Sequence, residues 1–240
     1  MIDSIFKEKT DQSTDFKFDK KVVDVFDDMV VRSVPYYLEI QRMMVELAST
    51  FAKPNTNLYD LGCSTGTTMI SMSKILDKSV GFVGVDESSQ MLESCKANLE
   101  ANDVKQAVEL RPFDLNEGVE IENASVVVLC LTLQFVRPLY RTKLIQSIYD
   151  QMNPGGAIIL VEKVIGEGSD FNRKFIDYYY DYKRRNDYND MEIAQKREAL
   201  ENILIPFKLS ENIHMLEEAG FKDCETFFKW YNFTGLIAIK

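Results

Sequence analysis

Histidine and cysteine are scarce in this chain of 240 residues. It has one histidine, His214, and its four cysteines (Cys63, Cys95, Cys130 and Cys224) form no C-x-x-C pair. Zinc sites draw most of their ligands from these two residue types, and a disulfide framework needs paired cysteines. We therefore expect no metal centre and no disulfides, and reduced thiols as in a cytoplasmic protein.

Long apolar runs and an excess of positive charge are also missing. The longest apolar runs, such as Val126 to Leu131, fall far short of the roughly 20 residues that cross a bilayer, and charges begin at Asp3, so no signal peptide is expected. The formal net charge is −10, from 28 Lys and Arg against 38 Asp and Glu. Long-range repulsion opposes binding of such a chain to nucleic acid or anionic membranes, so we expect neither as a direct partner.

The composition is that of an ordinary globular protein, with 45% hydrophobic and 28% charged residues. From residue 57 onwards, apolar strand patterns such as VGFVGVD alternate with amphipathic helix patterns. Near-continuous apolar strands alternating with helices favour a parallel sheet covered on both faces. The end of the chain, CETFFKWYNFTGLIAIK, predicts an antiparallel hairpin with its turn near 232–235. We predict one α/β domain over 1–240, doubly wound around a mostly parallel seven-stranded sheet.

Three segments lie outside this alternation. Residues 1–20 are polar without a clear period, which predicts a loosely held N-terminal arm. Pro35 interrupts an amphipathic stretch, and a helix is expected from about residue 36 to 51. Residues 166–204 predict two helices, about 170–185 and 190–204, inserted between sheet strands.

The most informative stretch is NLYDLGCSTG, residues 57–66, in which a strand enters a turn with Gly62 and Gly66 and then a helix. Small residues there allow a ligand to approach the backbone closely. Asp86 ends the next strand about 20 residues later, where an acid can accept both hydroxyls of a ribose. The stretch therefore predicts a nucleoside site.

Three kinds of site fit the turn to different degrees. A dinucleotide site wants G-x-G-x-x-G, but Met69 occupies the third position. A hydrolase elbow with Ser64 as nucleophile and His214 as base lacks earlier sheet strands and an oxyanion loop. S-adenosylmethionine (SAM) fits better, because Asp60 at the strand end suits its positive sulfonium and ammonium groups. The glycines could also serve tight packing alone.

Two further positions extend the predicted site. Asp114, followed by Leu115, ends the third strand, where an acid in a SAM-binding fold reaches the adenine amino group. Cys130, in the fourth strand, faces the expected place of the activated carbon, although a buried core thiol explains it equally well.

Several stretches together resemble the carboxy-S-adenosyl-L-methionine (carboxy-SAM) synthase family, whose fold is that of SAM-dependent methyltransferases. They run from about residue 18 to the end: VFDDMVVRSVPYY, YDLGCSTG, IENASVVVLCLTLQF, MNPGGAIILVEK, EIAQKREALEN and AGF…NFTGLIAIK. The segments RSVP, TLQF and QKR…LEN are specific to this family rather than general SAM-binding signatures. The resemblance implies that SAM and prephenate are converted into carboxy-SAM and phenylpyruvate. It also implies a partner enzyme that uses the product to make 5-oxyacetyluridine at the tRNA wobble position.

The implied reaction needs no side-chain base. Prephenate aromatises and loses carbon dioxide and hydroxide, the hydroxide takes a proton from the SAM methyl group, and the resulting ylide captures the carbon dioxide. A chain with one histidine is compatible with this chemistry. The protein would supply proximity, exclusion of water and a positive charge for the new carboxylate.

The resemblance also implies roles for individual residues. Arg197 is the candidate catalytic residue: its guanidinium would bind the product carboxylate, reaching in from the neighbouring subunit of a homodimer. That would give the helical insertion over 166–204 a role in the dimer and as a lid. A surface charge paired with Glu198 or Glu201 is the alternative for Arg197. The expected SAM-binding residues are Tyr37, Gly62, Cys63, Ser64, Asp86, Glu87, Asp114, Leu115, Cys130 and Arg197.

This chain departs from the family pattern at two of these positions, since Glu87 and Cys130 stand where the family has asparagine. An amide near the transferred carbon is a polar contact that a thiol does not reproduce, so the departure concerns substrate handling more than SAM binding. Two other functions remain open: an ordinary methyltransferase acting on a small molecule or tRNA, and a non-catalytic SAM-binding partner subunit.

Overall fold

The computed structural model describes residues 2–8 and 15–240, and from residue 57 onwards strands and helices alternate. The strands are β1 (Asn57–Leu61), β2 (Gly81–Asp86), β3 (Val108–Pro112), β4 (Ala124–Cys130), β5 (Ala157–Lys163), β6 (Lys222–Trp230) and β7 (Phe233–Ile239). The helices are α1 (Lys20–Val23), α2 (Phe26–Ser33), α3 (Tyr37–Phe51), α4 (Thr67–Ser73), α5 (Ser89–Ala101), α6 (Pro138–Gln151), α7 (Ser169–Arg185), α8 (Asp190–Leu200) and α9 (Leu209–Ala219).

The seven strands form one sheet in the order β3-β2-β1-β4-β5-β7-β6. The first five are parallel, and β7 runs antiparallel to both β5 and β6. The predicted fold, a mostly parallel seven-stranded sheet with an antiparallel C-terminal hairpin, is confirmed. Because the chain moves outward from β1 on one side and from β4 on the other, a crevice opens beyond the carboxyl ends of these neighbouring strands.

Both faces of the sheet are covered, which explains the unbroken apolar strand patterns. Alternate residues contribute to separate cores: Leu58 packs on the side of α3, and Tyr59 on the side of α6 and α9. Side chains of a strand alternate between the faces, so a strand covered on both sides is apolar at almost every position. Six residues of β4, from Ala124 to Leu129, are buried accordingly.

The fourth strand is shorter than its apolar pattern predicts. The apolar pattern ASVVVLCLTLQF by itself predicts a strand over 124–135, but β4 ends at Cys130. Leu131 has a φ of 60°, and a short 3₁₀ turn covers Leu133–Phe135. The left-handed conformation at Leu131 turns the chain away from the sheet direction. Hydrophobicity could not reveal this bend, because the residues after it are also apolar.

The insertion forms two helices, α7 and α8, close to the predicted ranges. A capping box at Asn189 and Glu192 begins α8, and the helix ends at Leu200 rather than at 204. Within the described residues, no helix is both long enough and apolar enough to cross a membrane.

The described parts of the segment predicted as a loose arm are held against the protein, which corrects that expectation for residues 2–8 and 15–20. Asp3 is only 4% exposed and accepts a 2.6 Å hydrogen bond from the Tyr188 hydroxyl. Phe16 joins Met29 and Met91 in a third hydrophobic cluster. This packing has neither helical nor strand period, so patterning did not indicate it. Met1 and residues 9–14 lie outside the described residues.

Candidate active site

A cleft of about 850 Å³ lies at the carboxyl ends of the parallel strands and is closed on one side by α7 and α8. Every residue predicted from the sequence as a site residue lines it: Tyr37, Gly62, Cys63, Ser64, Asp86, Glu87, Asp114, Leu115, Cys130 and Arg197. The fold therefore brings these residues together around one space. Their contact with a ligand stays a prediction.

The turn after β1 places backbone rather than side chains at the cleft. Gly62 has a φ of +82°, and a Cβ built there would lie 2.3 Å from the Thr132 Oγ1. The amides of Gly62 and Cys63 both donate to the Val85 carbonyl, at 2.7 and 3.0 Å. These bonds fix the turn against β2, and a side chain at position 62 would clash with Thr132.

Three carboxylates follow the neighbouring strands β2 and β3 at the cleft. The two oxygens of Asp86 accept hydrogen bonds of 2.9 Å from the amides of Ser64 and Ser88, which orient the group. Burial raises the pKa of Asp86, and burial together with the charges of Asp114 and Asp86 raises the pKa of Glu87. Carboxylate oxygens have further lone pairs, so they can still accept hydroxyl or amine donors from a ligand.

Asp60 adds a fourth carboxylate directly before the turn. It is 1% exposed, and its Oδ2 has no hydrogen-bond partner among the described residues. Burial and the charge of Asp86 raise its pKa to about 7. A buried polar atom without a partner is costly, and a cationic ligand group nearby would offset that cost. We call Asp86, Glu87 and Asp114, which line the cleft, together with the fully buried Asp60, which does not line it, the acidic end of the cleft.

Cys130 lies close to an amide that the sequence did not indicate. The Gln41 Nε2, on α3, lies 3.8 Å from the Cys130 Sγ and donates a 3.2 Å hydrogen bond to the Thr68 Oγ1. Burial raises the pKa of the Cys130 thiol, followed by the charges of Asp60 and Glu162, so the neutral thiol predominates. The Gln41 side chain therefore places an amide next to Cys130, although residue 130 itself has no amide.

The opposite side of the cleft is lined by cations that sequence reasoning missed. Lys163 ends β5, Lys183 lies on α7, and Lys196 precedes Arg197 on α8. We call Lys163, Lys183, Lys196 and Arg197 the basic end of the cleft. The lysines sit in charged, helical or strand-end stretches such as DYKRRND, which in a sequence indicate an exposed surface. Only the packing of α7 and α8 turns Lys183 and Lys196 inward.

The three lysines are buried enough for their charge to be disfavoured. Lys183 is 5% exposed and Lys196 8%. Burial lowers the pKa of Lys183 to about 7, assisted by the charges of Lys196, Lys163 and the neighbouring arginines. Burial also lowers the pKa values of Lys163 and Lys196 to about 8. A buried cation stays protonated more readily when an anion binds beside it.

Arg197 stands at the rim of the cleft of its own chain, whereas the resemblance implied that it reaches in from the neighbouring subunit; an approach to the partner's cleft stays a prediction. Its side chain is 58% exposed and approaches the Glu198 Oε1 at 3.8 Å, so the predicted alternative contact is present. The pKa of its guanidinium is raised, mainly by a hydrogen bond with Tyr180. This arginine is charged at all ordinary pH values and available to an anion entering the cleft.

The structure excludes the hydrolase interpretation of the turn. His214 lies on α9, exposed, with its Nε2 3.2 Å from the Glu218 Oε1, and it does not line the cleft with Ser64. A nucleophile and its base must be within hydrogen-bond reach or close to it. The carboxylates around the turn also oppose the pyrophosphate of a dinucleotide, because like charges repel.

Known proteins with similar sequences cover the whole chain. A family described as "Methyltransferase domain" matches residues 58–156. The carboxy-S-adenosyl-L-methionine synthase of Methylococcus capsulatus is 53% identical over 99% of this chain and 99% of its own length. The enzyme of the same name from Desulfotalea psychrophila is 41% identical, over 99% of this chain and 97% of its own.

Among solved structures, a putative S-adenosyl-L-methionine-dependent methyltransferase from Methanococcus maripaludis superposes with a TM-score of 0.63. The match covers 95% of this chain and 96% of that one, at 18% sequence identity. At this identity the likeness establishes the fold alone.

Proposed function

Since the chain belongs to the carboxy-S-adenosyl-L-methionine synthase family, we propose that it makes carboxy-SAM from SAM and prephenate and releases phenylpyruvate. The observation that carries the proposal is the opposite charge of the two ends of one cleft. SAM is cationic at its sulfonium and ammonium groups, and prephenate is a dicarboxylate. A cleft for these two molecules needs an acidic end and a basic end.

The acidic end fits SAM. Asp86 at the end of β2 offers both carboxylate oxygens to the ribose hydroxyls, and Asp114 is the candidate partner of the adenine amino group. The unpartnered Asp60 Oδ2 lies beside the glycine turn, where a cationic group would restore its charge balance. Tyr37 and Cys130, which also line the cleft, are the candidate neighbours of the sulfonium methyl group.

The basic end fits an acid as the second substrate. An ordinary methyl transfer to a neutral acceptor gives no reason to place two buried lysines and a half-buried one beside the donor site. In the proposed reaction, the bond from the prephenate ring to its carboxylate breaks, and hydroxide leaves as the ring becomes aromatic. Hydroxide takes a methyl proton of SAM to give water, and the methyl carbon bonds to the released carbon dioxide. Charges and atoms balance without a side-chain base.

In this proposal the chain positions the reactants and keeps the released carbon dioxide from escaping. Arg197 receives the new carboxylate through a charge-assisted, two-pronged hydrogen bond. The helices α7 and α8 contribute Tyr179, Tyr180 and Arg197 to the lining of the cleft and form one wall of it. When both reactants are held in one cleft, the reaction no longer depends on a chance encounter in solution. Such positioning lowers the activation free energy by at most about 7–11 kcal/mol.

The pathway and the assembly are part of the same proposal. The product would serve a downstream tRNA-modifying enzyme, and the net charge of −10 favours tRNA contact by that enzyme rather than by this chain. We also propose a homodimer built on the insertion. Aromatic side chains exposed on α7 and the adjacent hairpin turn support it, since Phe171 is 66%, Tyr178 43% and Tyr231 40% exposed.

Mass spectrometry of the small molecule released on denaturing the purified protein tests the proposal. We expect a species heavier than SAM by one carbon dioxide, either as purified or after incubation with SAM and prephenate. The control is incubation with SAM and phenylpyruvate, which lacks the ring carboxylate that prephenate transfers. If only SAM or S-adenosylhomocysteine is recovered in every incubation, the proposal is wrong and a methyltransferase or a SAM-binding subunit takes its place.

A further inference from the structure

Two cations of the cleft, the buried Lys183 and the half-buried Lys163, have ammonium groups without an anionic partner. Neither Nζ lies within 4 Å of a carboxylate or makes a hydrogen bond to any residue in the described ranges 2–8 and 15–240. Lys196 differs, because its Nζ donates to the Ser33 Oγ at 3.0 Å and approaches the Asp3 Oδ2 at 3.8 Å. The acidic neighbour of Lys163 in the chain, Glu162, is also committed elsewhere.

The commitment of Glu162 is visible in its hydrogen bonds. Its two carboxylate oxygens accept from the amides of Leu133 at 2.9 Å and Gln134 at 2.8 Å. It therefore fixes the turn after β4 and leaves Lys163 unpaired. Burying an ammonium group without a partner opposes folding, so two such groups facing one cavity indicate an anion that enters the cavity.

One aromatic ring brings the two ammonium groups into the same region. The Tyr179 ring centroid lies 5.0 Å from the Lys163 Nζ and 4.7 Å from the Lys183 Nζ. The Lys183 Nζ is also 5.2 Å from the Tyr180 ring. Cation–π contacts attract the ammonium groups weakly but accept no hydrogen bond at full strength, so the donors remain available. The site thus combines two cations with two flat rings, which suits a small aromatic or cyclic acid.

We propose that Lys163 and Lys183 bind the 2-oxo-acid side chain of the second substrate, the carboxylate that is kept rather than transferred. This inference rests on the proposed function. A dicarboxylate needs two cationic sites, and Arg197 at the rim serves the carboxylate that moves to SAM. Of the remaining cations that line the cleft, Lys196 already has partners and Lys17 is exposed, so the lysine pair beside Tyr179 and Tyr180 is the second site.

The test uses phenylpyruvate as the probe, because it keeps the 2-oxo-acid carboxylate and lacks the ring carboxylate. Its affinity for the SAM-loaded protein is measured by titration calorimetry with Lys163→Met, Lys183→Met and Arg197→Ala. We expect a loss of about 30-fold or more in each lysine variant, the usual cost of removing one partner of a buried charge pair. We expect less than about twofold change in Arg197→Ala, because phenylpyruvate lacks the group that Arg197 binds.

Matched controls separate a lost charge from a disturbed fold. Lys174→Met removes an exposed lysine from the same helix, α7, and should leave phenylpyruvate affinity unchanged. Lys183→Arg keeps the charge and should restore part of the affinity, and SAM affinity should be equal in all variants. Unchanged phenylpyruvate affinity in both lysine variants would overturn the assignment. A loss of phenylpyruvate affinity in Arg197→Ala, with no loss in the lysine variants, would also overturn it.

The outcome is distinguishable from a failure of the proposed function. Lysine-dependent binding of phenylpyruvate by a chain that makes no carboxy-SAM from prephenate would keep the assignment and overturn the proposed function. If the protein makes carboxy-SAM and the KM for prephenate is equal in wild type and both lysine variants, the proposed function is kept and the assignment of Lys163 and Lys183 is overturned.

Discussion

The acidic and basic ends of the cleft are built in different ways. The acidic end comes from one continuous stretch, β1, the glycine turn and β2, with Asp114 added after β3. The basic end joins the tip of β5 to two helices of an insertion, so Lys163 and Arg197 are contributed by distant parts of the chain. The first end follows from consecutive elements of the sheet, whereas the second depends on how the helices of the insertion pack.

Burial disfavours the charged form of the ionisable groups at both ends of the cleft. It therefore shifts the pKa of a carboxyl group upward and that of an ammonium group downward. It raises the pKa of Asp60 to about 7 and lowers that of Lys183 to about 7. No ion pair in the described part of the chain joins an acid of one end to a cation of the other. Separation keeps each set of charges available, and a cationic and an anionic substrate would relieve the cost at each end.

Breaking the acidic end should have the largest effect. Asp86→Ala removes a carboxylate whose charge-assisted hydrogen bonds are worth about 1.5–3 kcal/mol, so SAM affinity should fall by roughly 10- to 150-fold. Calorimetric titration with SAM measures it, and Asp77→Ala, an exposed acid that does not line the cleft, is the control. Unchanged SAM affinity would remove Asp86 from the ribose site.

Breaking the rim of the basic end should have a smaller and more selective effect. Arg197→Ala should weaken carboxy-SAM about tenfold, as expected for one exposed charge-assisted contact, and leave SAM affinity largely intact. The measurement is the ratio of the two ligands recovered from purified protein. Arg184→Ala, an arginine of α7 outside the cleft, is the control. If the variant still co-purifies with carboxy-SAM, Arg197 has another role.

Changing pH should separate the two ends without mutation. Asp60 becomes protonated as pH falls through about 7, so SAM affinity should decrease from pH 8 to pH 6. Lys183 and Lys163 lose their protons as pH rises through about 7 and 8, so affinity for the acid should decrease from pH 7 to pH 9. The titration of a single group can change the ligand affinity by at most about tenfold per pH unit.

Neighbouring charges of like sign shift both pKa values in the same direction as burial does: they lower the pKa of Lys183 and raise that of Asp60. Those that face Lys183 are Lys163, Lys196, Arg197 and Arg184. Asp60 is faced by Asp86. Separate titrations with SAM and with phenylpyruvate from pH 6 to 9 provide the measurement. Two parallel profiles would contradict the view of two ends with opposite charge.

The last prediction concerns the stability of the free protein rather than ligand binding. The folded-state pKa of Lys183, about 7, lies below the ordinary 10.5, so the unfolded chain holds the proton more tightly and stability is lost as pH falls from 10.5 towards 7. Lys183→Met removes this penalty and should stabilise the free protein near neutral pH by on the order of 1–3 kcal/mol. Thermal unfolding should shift upward by about 2–4 °C per kcal/mol. A lower Tm would show that Lys183 supports the fold rather than opposing it.

The sheet, and the meeting of Gly62 and Asp86 at one cleft, could be predicted from the sequence because both follow local rules. Gly62, Gly66 and Asp86 lie in consecutive elements, so their spacing carries the geometry. The basic end could not be predicted in the same way. Whether Lys183 in DYKRRND faces solvent or a cleft depends on how α7 packs, and nothing local to that segment decides it.

The N-terminal segment teaches the same lesson. Asp3 contacts Tyr188 and lies near Lys196, a connection across almost the whole chain. Through this contact the segment predicted as loose supports the helix that carries Arg197. Gln41 beside Cys130 is a third example, since an amide on α3 meets a strand-end thiol only in the folded state.

The most direct test of the central claim is to follow the transferred carboxylate. The protein is incubated with SAM and with prephenate carrying carbon-13 in its ring carboxylate, and the products are analysed by mass spectrometry. We predict that the label appears in carboxy-SAM and is absent from phenylpyruvate, even in the presence of excess unlabelled bicarbonate. Carboxy-SAM without the label, or label found only in free bicarbonate, would contradict a cleft that holds both substrates at once.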